Sequence, residues 1–166
     1  SKYSSIFLNK INLKYIVMCE NLSVSQIRAA GVPNVITRTL IVDIKFNEEH
    51  FERVLHHEIF HMINDSHKKK FSFEEWKNFN NSKFEYAECS TCSDRLGLSL
   101  LKENKGFVTE YSMSTVSEDM AEVFSFLMTD IKITENKASK DAILKKKISF
   151  IKKGIAKIDD QFDFIK

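Results

Sequence analysis

All five histidines of the chain fall between His50 and His67, and inside that window His57-Glu58-Ile59-Phe60-His61 has the spacing HExxH. Residues four apart on a helix stand one turn above each other on the same face, so His57 and His61 can aim two imidazole nitrogens at one point. A zinc ion, which bonds imidazole nitrogen at about 2.0 to 2.1 Å, suits that point. Glu58 sits beside it, placed to take a proton from a water acidified by the ion, and this links metal binding to hydrolysis. Random ordering of five His and fourteen Glu among 166 positions gives HExxH in roughly one such chain in a hundred, so the motif must be weighed with its surroundings. On its own it is also compatible with histidines that are merely polar residues of a helix surface.

A catalytic zinc takes three protein ligands and keeps a fourth position for water, so a third donor is needed. Glu118 and Glu122 are again four apart, on a stretch that is otherwise apolar, with the small Ala121 between them. Two acids stacked on one apolar face invite a cation or its ligands as counter-charge. The other candidate is His67, because His57 to His67 follows a metzincin-like spacing with Asn64 where glycine is usual, and Asn tolerates the left-handed conformation of such a turn. Met113 would then stand in for that family's methionine turn. This alternative leaves both acids unexplained and sets Lys68, Lys69 and Lys70 beside a dication. Glu118 is therefore preferred.

Tyr111, followed seven residues later by Glu118 in the form Glu-x-x-Ala-Glu-x-Phe, resembles the third-ligand helix of gluzincin metallopeptidases of the anthrax lethal factor and Pro-Pro endopeptidase type. The resemblance covers this segment and the HExxH helix. It implies that His57, His61 and Glu118 bind Zn2+, that Glu58 is the general base, that Glu122 supports the ligands from behind, and that Tyr111 donates its hydroxyl to the tetrahedral oxyanion. It implies peptide hydrolysis without a covalent intermediate, on a protein or peptide substrate whose sequence it does not specify.

These side chains need elements to hold them. Asn47 offers an N-cap with Glu48 and Glu49 in the first turn, and no Gly or Pro interrupts the chain from there through Asp65, which predicts the first long helix. Ser117 is the expected cap of a second, from Glu118 to about Thr129. Ile143, Leu144, Ile148, Ile151, Ile155 and Ile158 mark the apolar stripe of a third, whose Lys145 to Lys147, Lys152 and Lys153 read as a solvated face. Ser72-Phe73-Glu74-Glu75 is a capping box for a short helix. Upstream, Tyr15 to Cys19, a short apolar run suited to a buried strand, and Thr37 to Phe46 read as strands separated by a turn at Gly31-Val32-Pro33-Asn34, with a short helix around Ser23 to Ala30. The stretch from about Asn80 to Glu110 carries no regular pattern.

The expected fold is α+β and zincin-like, a single domain over residues 1–166, with a small N-terminal sheet packed on the HExxH helix and a helical C-terminal half. The sheet's edge strand is expected to hold an extended peptide by backbone hydrogen bonds. A net charge of +2 does not point to nucleic acid, and no apolar run reaches the roughly 20 residues of a membrane span. The chain does not begin with Met, so export or delivery to another cell is compatible with a removed targeting segment, and a cytoplasmic address with its absence. Cys89-Ser90-Thr91-Cys92 is a lone CxxC, expected as a local disulfide or two free thiols rather than a structural zinc site. Trp76, Phe79 and Phe84 are better read as core than as a substrate groove. The oligomeric state is not legible. A different class of function is a degenerate module that holds zinc and binds a protein without cutting it, and the presence of Glu58 and Tyr111 argues against it.

Overall fold

The computed structural model describes residues 2–46, 50–103 and 105–165 and has an α+β architecture. A short helix α1 (Ser5–Lys10) leads into strands β1 (Tyr15–Cys19), β2 (Ser23–Val24), β3 (Ile27–Arg28), β4 (Gly31–Asn34) and β5 (Thr39–Asp43). Helices α2 (Phe51–Ser66), α3 (Phe73–Lys77), α4 (Val116–Thr129), α5 (Ile131–Ser139) and α6 (Ala142–Ala156) follow. β1, β5 and β4 form one sheet in that order, with β1 parallel and β4 antiparallel to the central β5. Leu40 and Val42 of β5 are wholly buried in the core, which continues through Ile59, Phe60 and Ile63 of α2 and Phe124 and Leu127 of α4. The rings of Phe60 and Phe124, 5.2 Å apart, fix the two long helices against each other.

The N-terminal third departs from expectation in three places. β1, expected as a buried strand, lies at the edge of the sheet with its first four side chains exposed. Ser23 to Ala30 is not helical: β2 and β3 form a hairpin whose two loop residues, Ser25 and Gln26, both have positive φ (50° and 69°), the signature of a type I′ turn. The predicted turn at Gly31–Asn34 is instead strand β4, and the chain reverses one step later, where the Asn34 carboxamide oxygen accepts from the N–H groups of Ile36 and Thr37. Pro33 is tolerated because the β4–β5 register turns its nitrogen to the open edge, where no ladder bond is lost.

The proposed cap at Asn47, with Glu48 and Glu49, lies outside the described residues. α4 begins two residues before the expected start, with Thr115 rather than Ser117 as cap; the Thr115 hydroxyl accepts from the Glu118 N–H at 3.3 Å. Helices α1 and α5 carry too weak a pattern to have been foreseen. α6 buries the expected Leu144, Ile148, Ile151 and Ile155, but Lys147 does not belong to its solvated face. Its ammonium is fully buried, 2.6 Å from Asp119 Oδ2, and the same carboxylate accepts from Trp76 Nε1 at 2.8 Å and Tyr86 Oη at 2.6 Å. Trp76 is thus a core residue, as expected. Cys89 and Cys92 form a disulfide.

Candidate metal centre

The HExxH residues lie in the middle of α2, with the apolar Ile59, Phe60 and Ile63 anchoring one side of the helix and His57, Glu58 and His61 facing a cleft of about 1000 Å³. α4 packs against α2 and presents Glu118 and Glu122 to the same cleft, which Tyr111 also lines. His57, Glu58, His61, Tyr111, Glu118 and Glu122 therefore meet in one place. His57 Nε2 is 2.8 Å from Glu118 Oε2 and 3.1 Å from His61 Nε2, and the third side of the triangle, His61 Nε2 to Glu118 Oε2, is 3.4 Å. Ligand atoms placed tetrahedrally at 2.0 to 2.1 Å from one zinc stand about 3.3 Å apart, so two imidazole nitrogens and a carboxylate oxygen are present at the right mutual spacing.

Behind the triangle lies a second layer. Glu122 Oε1 is 2.9 Å from His57 Nδ1, and its other oxygen accepts from Thr109 Oγ1 at 2.7 Å and from Arg53 Nη1 at 3.4 Å. Arg53 in turn stacks over Phe126. Ser117 Oγ is 3.2 Å from His61 Nδ1, so each histidine has a partner on the ring nitrogen that faces away from the triangle. Ser117, read as a helix cap, serves instead as this partner. Thr109 and Ser117 were missed because only the packing of one element on another reveals them. Arg53 alone left a sequence signal, standing four residues before His57 on the same helical face.

Burial would lower the proton affinity of His57, but hydrogen bonds and charge from Glu118 and Glu122 outweigh it and hold its pKa well above the ordinary value. Burial likewise acts to raise Glu118, yet the hydrogen bonds from His57 and His61 prevail and leave its carboxyl below the usual range; Glu122 is lowered in the same way, chiefly by His57. Glu58, Asp65, Glu118 and Glu122 give the cleft four carboxylates against the guanidiniums of Arg28 and Arg53, an excess that a dication would offset. Burial and then the charge of Glu118 raise Tyr111, so its hydroxyl stays a proton donor. Its ring lies 5.9 Å from that of His57, held by the turn in which Ser112 N–H donates to Thr109 Oγ1.

His67 is placed elsewhere. It follows the last residue of α2, and its Nε2 lies 2.8 Å from the Lys10 carbonyl oxygen, apart from the cleft lining.

Residues 34–166 match the model of the family described as "Putative zinc-binding metallo-peptidase". The chain belongs to this family. A solved structure from Bacteroides caccae with the same description is similar to it, at 20% sequence identity and a TM-score of 0.57 over 91% of this chain. The chain spans 60% of the length of that protein, and at this identity the likeness concerns the fold. No curated protein matches. Family membership makes zinc the metal of this α+β fold. Among the described residues no helix is long and apolar enough to cross a membrane.

Proposed function

We propose that the protein is a zinc-dependent endopeptidase of the gluzincin type, with His57, His61 and Glu118 as metal ligands. The triangle of donor atoms, with sides of 2.8, 3.1 and 3.4 Å, is the observation that carries this reading. Zinc held by two neutral imidazoles and one carboxylate keeps a charge of about +1, polarises a carbonyl and brings the pKa of water towards neutrality.

The chain's own groups account for the rest. Glu58, one residue from the first ligand and lining the same cleft, accepts the proton of the attacking water and returns it to the leaving amine. The Tyr111 hydroxyl, held protonated, donates to the oxyanion as charge develops there; loss of such a donor costs on the order of 10² to 10³ in rate. Glu122 orients His57 through Nδ1 and is itself held by Thr109 and Arg53. The peptide lies along β4, whose register turns the Gly31 N–H and carbonyl to the open edge at the cleft. Val24, Ile27, Phe46, Leu96 and Leu98 line the cleft and favour apolar side chains.

Cleavage of a broad peptide library, with and without a chelator and beside Glu58→Gln, tests the proposal. Chelation should abolish cleavage, and Glu58→Gln should lower it by about 10² to 10⁴ while zinc stays bound. Chelator-insensitive cleavage would refute the zinc mechanism. Zinc-loaded protein that cuts nothing would favour a binding module.

A further inference from the structure

The two edges of the main sheet are finished differently. β4 carries Pro33 and borders the cleft. β1, at the other edge, reads Tyr15-Ile16-Val17-Met18-Cys19, without proline, glycine or charge, and its first four side chains are 46 to 69% exposed. Edges of soluble proteins are ordinarily blunted by charge, proline or a bulge, because an open apolar edge recruits another strand. The Tyr15 N–H donates to the Arg38 carbonyl and the Cys19 carbonyl accepts from the Ile44 N–H. Backbone groups alternate along a strand, so Tyr15, Val17 and Cys19 turn theirs towards β5, and Ile16 and Met18 turn theirs to the open edge.

We propose that β1 is a dimerisation edge, pairing antiparallel with β1 of a second copy about a two-fold axis at Val17. Two copies of one edge related by a two-fold can meet only antiparallel, and outward-facing residues must face outward-facing ones. Centring the axis on Val17 satisfies this, with Ile16 opposite Met18 in both directions. One step further out, exposed Lys14 then meets exposed Glu20 at each end of the ladder. Axes at Ile16 or Met18 would instead set Lys14 against Met18 or Glu20 against Ile16, losing both charge pairs. The chosen register thus uses the whole apolar run and matches the charges that bracket it. Two three-stranded sheets become one of six strands, and both clefts, at the β4 edges, remain open.

Sedimentation velocity of the full chain across roughly 1 to 200 µM tests the proposal. A concentration-dependent dimer is expected. Val17→Lys, which sets two ammonium groups together at the axis, should weaken it roughly 100-fold. Lys14→Glu should weaken it about tenfold by facing Glu20 with a like charge at both ends, and Lys14→Glu combined with Glu20→Lys should restore it. These side chains are exposed, and unchanged circular dichroism and Tm would verify folding. A monomer at every concentration, a dimer indifferent to Val17→Lys, or one that does not distinguish the single from the double charge reversal would overturn the proposal.

Discussion

Gly31 approaches Glu58 so closely that a Cβ built on it would lie 2.6 Å from the glutamate Cγ and 2.7 Å from its Cδ. Gly31→Ala must therefore displace the proposed general base, while the three atoms nearest to the added Cβ all belong to Glu58 and none to the ligand triangle. The expected outcome is stoichiometric zinc with kcat reduced on the order of 10- to 100-fold, checked by metal analysis beside peptide kinetics. At this scale the sequence was most legible where chemistry imposes spacing. His57 with His61 and Glu118 with Glu122 announce themselves because one helical turn is the geometry that a shared ion or partner demands. Gly31, Ser117 and Thr109 were silent, since each owes its place to the packing of one element on another. His67 matched a spacing, but its ring turns to the Lys10 carbonyl instead of the cleft.

Among the elements, the β2–β3 hairpin has the clearest mismatch between sequence and backbone. Ser25 and Gln26 both adopt left-handed conformations that cost L-residues energy, and Asn-Gly is the pair suited to such a turn. Replacing Ser25 by Asn and Gln26 by Gly should stabilise the protein by about 1 kcal/mol and raise Tm by about 2 to 4 °C, read by calorimetry. The same mismatch explains why the segment read as a helix: Ser-Gln is no turn signal, and strands of two residues are too short to show alternation. β4 misled for the opposite reason, because Gly-Val-Pro-Asn looks like a turn unless one knows that the strand lies at an edge. The long helices were legible, since their apolar stripes extend over several turns. The start of α4 was misplaced because Thr115 and Ser117 are both competent caps and only one can face Glu118 N–H.

For the molecule as a whole, Asp119 acts as the knot of the helical half. Its Oδ2 receives Trp76 from α3, Lys147 from α6 and Tyr86 from the irregular segment, all while Glu118, the preceding residue of α4, faces the cleft. Lys147→Met would leave a carboxylate buried without its cation and should cost about 3 to 5 kcal/mol in chemical denaturation. The sequence concealed this lysine inside a run of three, two of which are exposed. The proposed chemistry requires α2 and α4 to bring three donors around one zinc, and zinc content per chain measures this most directly when the wild type is compared with Glu118→Ala and His67→Ala. One zinc per chain in the wild type and in His67→Ala, with loss from Glu118→Ala, is the predicted result. Zinc retained by Glu118→Ala and lost from His67→Ala would contradict it.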